Sequence, residues 1–488
     1  MSQQDQADEI IVNHKVLKQV ADELVPADLF RGIDSRTDAT WKPRMVVLTV
    51  LLMLVSGKKT LSAGFQLGRK AVGKIFRWQR SPGETYQGFV TQLRKWHFEL
   101  KLAVMFHLQE AMQVRLSDEW TIHGFVVMAC DGSRVELSRT RSLEDAYSPK
   151  KKQGSSSAKK KPKPSRGKGK QAKKKAKAKK KKAKSQSAES IKKKANSPQM
   201  WLTLMWHVPS GLPWDWRTGP SDSSERGHVQ EMLPNLPQNT LMTADAGFVG
   251  YEFWSEILQT GHDFVIRVGG NVKLLKNLGC ARQYDDTVYL WPDAVAKKKQ
   301  PPLDLRLIEL HDGKQPVYLV TNLPKSRLSD RQARDIYAAR WGIELFFRTF
   351  KQTFGCRKLR SRAAANAEWE LDWSLIGLWC ICLLGETELA ANGKDPTRLS
   401  AAKAIEAFQE TVLHYRVRPE DPTETLWNRL QAALLDEYER TSSKASRNFP
   451  TKKKRERTGP PKIIEATKQQ IEAAKQLKRS TTEKHLTA

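Results

Sequence analysis

Cysteine is scarce and scattered in this 488-residue chain: Cys130, Cys280, Cys356, Cys380 and Cys382 are odd in number, and the one close pair is spaced C-x-C inside an apolar run. That excludes a disulfide framework and zinc-finger spacing, and it reads as the thiol complement of a reducing cytosol. Long apolar runs are lacking too. The longest uncharged ones, 45–55 and 373–385, fall short of the ~20 residues a bilayer span needs and read as buried helices. Met1-Ser-Gln-Gln-Asp opens without a basic n-region and apolar h-region, so no secretory signal is expected. No phosphate-binding loop or dinucleotide fingerprint is present, which leaves ATP-driven and redox chemistry unsupported. The ten His show no metal-ligand spacing, and no repeat of 20–50 residues is apparent.

Acidic residues are nearly missing from two segments. Residues 150–194 hold 22 basic and 1 acidic residue, and residues 441–488 hold 13 and 4. The net charge of +31 is therefore carried almost entirely by two blocks, and the rest of the chain is close to neutral. Such blocks release counterions from phosphates, so a polyanionic partner is implied. The block at 150–194 has no periodic apolar positions and is expected to be disordered. An electrostatic arm and a nuclear-localisation tract both fit it, as they fit Lys452 to Arg457.

With 39% hydrophobic residues and 15 Trp the chain is rich enough to bury large cores. Residues 9–116 carry a helical apolar period, and Arg69, Lys70, Lys74, Arg77 and Arg80 fit either a DNA-facing helix or a solvated face. Around residue 119 the period turns strand-like. Residues 120–130 read as a strand ending at a turn, Asp131-Gly132-Ser133. Strands are expected at 200–208, 212–217 and 240–244, the last stopping at Asp245-Ala246-Gly247-Phe248, with a helix at 227–236. A β-rich stretch follows (264–268, 287–290, 303–310, 317–321), then one long helix from Ser329 through Phe354 and a buried one at 371–389.

The most informative stretch is YAARWGIELFFRTFK, Tyr337 to Lys351. Treated as one helix at 100° per residue, it places Tyr337, Arg340, Glu344 and Lys351 in a stripe about 60° wide beside an apolar face. An ordinary Arg–Glu i,i+4 pair would account for part of this. Asp131 and Asp245, however, each follow an apolar strand. Two aspartates and a helix-borne glutamate are hard oxygen ligands that suit Mg²⁺. Two such ions serve phosphodiester displacement, with Arg340 and Lys351 placed to hold phosphates.

The spacing Tyr-x2-Arg-x3-Glu-x6-Lys, met without a gap by Tyr337, Arg340, Glu344 and Lys351, resembles the signature of DDE transposases of the insertion-sequence-four type. Asp131-Gly132-Ser133 and Asp245-x-Gly247-Phe248 look like that family's first and second aspartate motifs. The resemblance covers residues 119–390 and implies an α/β, ribonuclease H-like core interrupted by a β-rich insertion domain. It further implies two Mg²⁺ ions (with Mn²⁺ a substitute), double-stranded DNA as partner, a homodimer in the DNA synapse, and cut-and-paste DNA transposition, in some members through a hairpin. By resemblance Asp131, Asp245 and Glu344 are metal ligands and catalytic residues, while Tyr337, Arg340 and Lys351 bind DNA near the scissile phosphate. The lysine block between the first two core strands departs from the family pattern.

The implied organisation is a helical N-terminal DNA-binding domain (1–118) and a first catalytic part (119–255, with a Lys-rich loop at 150–197). An insertion domain (256–325), a second catalytic part (326–395), a helical region (396–440) and a basic, disordered tail (441–488) follow. A cytoplasmic, nucleoid-associated location is expected. A non-catalytic DNA-binding relative and a free metal-dependent nuclease are the alternatives. Trp291 reads as a core residue or a base-stacking one, Glu225-Arg226 and His228 as a surface salt bridge or a catalytic group, and Arg267 and Asn271 as flanking a hairpin turn or contacting DNA.

Overall fold

A computed structural model describes residues 13–35, 38–77, 81–149, 198–279, 284–311, 316–413, 425–435 and 459–486. Both the lysine block and the KKKRER run lie outside these residues.

The N-terminal part is helical: α1 (His14–Leu24), α2 (Pro43–Val55), α3 (Leu61–Ile75) and the 30-residue α4 (Tyr86–Arg115). Asn13, Thr60 and Thr85 cap α1, α3 and α4 by accepting backbone N–H bonds. Helix α2 is apolar all round because it is buried all round, between α3 and the later core helix.

The remainder is built on one ten-stranded mixed sheet, ordered β10-β6-β7-β8-β9-β5-β4-β1-β2-β3. In chain order, β1 (Val126–Glu136) is followed by α5 (Arg141–Tyr147), then by β2 (Gln199–His207), β3 (Leu212–Gly219) and α6 (Glu225–Met232). Next come β4 (Thr240–Ala244), α7 (Tyr251–Gln259), β5 (Asp263–Val268), β6 (Lys273–Lys276), β7 (Thr287–Leu290), α8 (Asp293–Lys297), β8 (Leu303–Leu310) and β9 (Val317–Thr321). Helices α9 (Asp330–Ala339), α10 (Gly342–Arg348), α11 (Ala364–Ala391), α12 (Ala401–Phe408) and α13 (Leu426–Gln431) lead to β10 (Lys462–Glu465) and α14 (Lys468–Leu486). Strands β1, β4 and β5 run parallel to one another, whereas β2 and β3 extend the sheet antiparallel.

Three sequence expectations are corrected. The first strand runs over 126–136, not 120–130, so Asp131 sits in mid-strand and Asp131-Gly132-Ser133 is no turn. The reason is tertiary: β2 pairs through all three, Leu204 opposite Asp131 and Thr203 opposite Gly132. The helix expected from Ser329 through Phe354 is divided. A tight i→i−3 turn at Arg340–Trp341 separates α9 from α10, and a wide π-turn covers Thr349–Thr353. Gly342 begins the second piece because a Cβ there would lie 2.1 Å from the Trp206 ring of β2. Lastly, part of the tail expected to be disordered is ordered, since 462–465 adds a strand beside β6. The stretch 256–325 carries β5 to β9, and these continue the same sheet outward from β4.

Helix α11 lies in the core. Among the described residues it alone is long and apolar enough to cross a bilayer, yet 78% of its apolar window is buried in the protein. It is pinned to α4 and β3 by Asp372, which accepts from the Trp216 indole (2.6 Å) and lies 3.0 Å from both His97 Nε2 and Lys101 Nζ.

Candidate active site

Pairing between β1 and β4 ends at Ala129 and Thr243, so the next residues of β1 have an open edge on that side. Asp131 lies on this edge, and its Oδ1 accepts from the N–H of Gly132 at 2.8 Å. Asp245 follows the last residue of β4, where its Oδ1 accepts from Gly247 N at 2.7 Å. Asn271, read from sequence as part of a hairpin turn, donates to Ala246 O and so props the turn that carries Asp245. Parallel strands with offset ends thus bring two aspartates, 114 positions apart in the chain, to one sheet edge.

The helical residues arrive from the other side. Arg340, in the tight turn, is buried, stacks over the Tyr337 ring (5.4 Å to its centroid) and places Nη2 3.3 Å from Glu344 Oε1. Burial alone would lower its pKa, but Tyr337, Glu344, Asp131 and Asp245 together raise it, so one guanidinium feels all three carboxylates. Its Nε is buried without an acceptor among the described residues. Lys351 lies in the π-turn and donates to Ser133 Oγ, two residues beyond Asp131 on the same face of β1. Burial lowers the Lys351 pKa against the pull of Asp131 and Glu136.

The single 60° stripe expected from an unbroken helix does not describe this arrangement. A tight turn over-rotates the chain and a wide turn under-rotates it. The four signature side chains are instead linked by contacts: Tyr337 to Arg340, Arg340 to Glu344, and Lys351 to β1.

Asp131 is strongly perturbed. Burial, with Asp245 and Glu344 nearby, pushes it up to about 6 against the Gly132 N–H and Arg340. All-carboxylate oxygen donors are the set a hard divalent cation takes. As they stand, Asp131 and Asp245 turn to backbone N–H groups and Glu344 to Arg340; among the described residues no three acidic, His or Cys side chains close into a coordination sphere. The donor chemistry and the orphaned Arg340 Nε both fit a cation-bridged phosphate. Asp131, Asp245 and Glu344 would hold the metal.

Other sequence candidates fall elsewhere. Trp291 is buried and its indole donates to Gln300 O (2.8 Å), a core placement. Arg226 donates to Val249 O rather than pairing with Glu225, and His228 meets Thr203. Ser133, read from sequence only as part of the first-aspartate motif, is drawn in by Lys351, and Glu225, read there as a salt bridge rather than a catalytic group, lies against Gly132, where a Cβ would fall 2.3 Å from its Oε1.

The fold and site are those of a mixed α/β protein with carboxylates from two strands and one helix gathered at a sheet edge. Residues 126–380, just over half of the chain, match the family described as "Transposase DDE domain", and the chain belongs to that family. Within it, the chain is 26% identical over 190 residues to the transposase InsG for insertion sequence element IS4 of Escherichia coli K12, in line with the motif resemblance. That match covers 37% of this chain and 42% of the relative's length. A cryo-EM structure of a piggyBac transposase synaptic complex with hairpin DNA aligns over 90% of this chain and 88% of that one, at 12% identity and a TM-score of 0.37.

Proposed function

We propose that this protein is a DNA transposase that cleaves phosphodiester bonds at the ends of a mobile element and transfers them to target DNA. The observation that carries this is Arg340: one buried guanidinium is paired with Glu344 and lies in the fields of Asp131 and Asp245, so the three carboxylates share one locus. The strand order β3-β2-β1-β4-β5, with β2 antiparallel and an aspartate in mid-β1 and after β4, supports a ribonuclease H-like core.

Asp131, Asp245 and Glu344 would hold two Mg²⁺ ions, with Mn²⁺ able to replace them. Metal held there would supply a lowered pKa to the attacking water or 3′-hydroxyl and charge stabilisation to the leaving oxygen. Arg340 offers its fork to a non-bridging phosphate oxygen, for which its buried Nε is free. Lys351, held by Ser133, supplies a second cation along the strand. Residues 1–118 would recognise element ends, two copies would form the synapse, and the lysine-rich segments would add sequence-independent attraction for DNA in the nucleoid.

The test is strand nicking on DNA bearing the element's ends, with and without Mg²⁺, comparing the native chain with Glu344→Gln. Metal-dependent nicks lost in the variant, with DNA binding retained, support the reading. Binding by both proteins and cutting by neither would overturn it in favour of a non-catalytic DNA-binding protein. Cutting without strand transfer would indicate a free nuclease.

A further inference from the structure

We infer that Glu225 is a fourth carboxylate of this site, a ligand to the divalent cation held between Asp131 and Asp245. This deepens the function proposed above and rests on it.

Glu225 is the first residue of α6, whose N-cap Ser224 accepts from Gly227 N and fixes the helix start. The α6 helix packs over β2 and β3 and reaches β1. From there the carboxylate lies against the backbone of Gly132, with Oε1 at 2.3 Å and Cδ at 2.7 Å from the point a Cβ would occupy. A Cβ at 132 would force that side chain to shift. Gly132 immediately follows Asp131, so the carboxylate lies over the opposite face of β1 one residue from Asp131, on the length of strand that has no β4 partner.

The ion pairing is uneven. Glu344 has Arg340. Glu225, Asp131 and Asp245 have no ion pair among the described residues, and Glu225 has no hydrogen bond either. Its sequence neighbour Arg226 is turned away to Val249 O. Burial and the two aspartates penalise the Glu225 charge, and Arg134 and Arg226, neither within ion-pair distance, only partly offset them. Glu225 feels both aspartates, and Cys130 feels all three. A second observation lies across the site: Arg340, buried beside the aspartates, keeps an Nε with no acceptor. Carboxylates without ion pairs, acting on a buried guanidinium that keeps one unsatisfied N–H, are complementary to a cation and a phosphate together.

The experiment is Mn²⁺ binding to the full chain, read from the loss of the free-ion electron paramagnetic resonance signal, for the native protein, Glu225→Gln, Gly132→Ala, Asp131→Asn and, as control, Glu231→Gln. Glu231 lies on the same helix, exposed, against Arg217. Glu225→Gln is expected to weaken binding about tenfold or more, as is Gly132→Ala, which displaces the carboxylate without removing it. Glu231→Gln is expected to bind as the native chain does. In metal-free buffer Glu225→Gln is expected to melt higher than the native protein, because one of three crowded charges is gone, yet to gain less from Mn²⁺. Native-like Mn²⁺ affinity in Glu225→Gln, with affinity lost in Asp131→Asn, overturns this inference alone. Unchanged affinity in both overturns the transposase site itself. If Glu225→Gln fails to fold, Gly132→Ala decides in the same way.

Discussion

Arg340 and Glu344 face each other at 3.3 Å across the tight turn that separates α9 from α10, and both belong to the signature spacing. The pair is short in sequence but wide in reach, since Arg340 is buried and also feels Asp131 and Asp245. Lysine cannot reproduce its fork. Arg340→Lys is expected to lower the rate of metal-dependent cleavage about a hundredfold or more while end-DNA binding falls far less. Single-turnover cleavage alongside a binding titration checks this; equal losses in both would show that Arg340 contributes only to binding.

Asp131 makes the metal-free protein more stable in mild acid than at neutral pH. Its folded pKa, about 6, lies above the ordinary value of 3.8, so the folded state holds its proton more tightly than the unfolded one does. Stability from this group is full below about pH 4 and is lost as pH rises through 6, by at most about 3 kcal/mol. Asp131→Asn should flatten that loss and raise the metal-free melting temperature at pH 7. Thermal melts from pH 4 to 7 in chelator measure it.

Asp372 behaves in the opposite sense. Burial pushes its pKa up, but Lys101, His97 and the Trp216 indole outweigh burial and bring it to about 2. Its contribution is complete above pH 4 and lost as pH falls towards 2. Asp372→Ala leaves Lys101 without its partner between α4 and α11 and should cost roughly 3–5 kcal/mol by denaturant titration. A Lys101→Met change in the same background should restore part of that loss.

Gly342→Ala tests how α10 is seated. Alanine favours a helix by about 1 kcal/mol, but a Cβ 2.1 Å from the buried Trp206 ring must displace α10 from β2. Overpacking of this kind costs about 1–3 kcal/mol, so the net change should be destabilising. Cleavage should fall as well, because Glu344 rides on the same turn. Pairing the change with Trp206→Phe should recover stability.

Deleting residues 150–194 removes 22 basic side chains and one acidic one. The logarithmic salt dependence of DNA binding, close to 0.9 per phosphate neutralised, should become shallower. Nicking by the DNA-bound complex should persist. An unchanged slope would show that these lysines do not contact DNA.

Much of the sheet was legible in the sequence, because short apolar and β-branched runs bounded by turn residues mark β2, β3, β4, β7, β8 and β9 within a residue or two at each end. The signature at Tyr337 to Lys351 was legible from spacing alone. What was not legible depends on distant partners. Asp131-Gly132-Ser133 has the composition of a turn and becomes strand only because β2 pairs across it. The division of the long helix falls beside Gly342, which lies against Trp206, 136 positions earlier in the chain. Glu225 read as half of a local ion pair; the glycine that admits it is 93 positions away.

Strand β10 closes one end of the sheet, parallel to β6, and the two are separated by almost the whole second half of the chain. While the polypeptide is being made, β6 therefore emerges long before its cover does. Until residues 459–466 dock, Lys273–Lys276 presents unsatisfied backbone groups of the kind that recruit a neighbouring chain. The last strand thus satisfies β6 and becomes the sheet edge in its place, and a protein shortened before it should show its defect first as poor solubility, before any loss of chemistry.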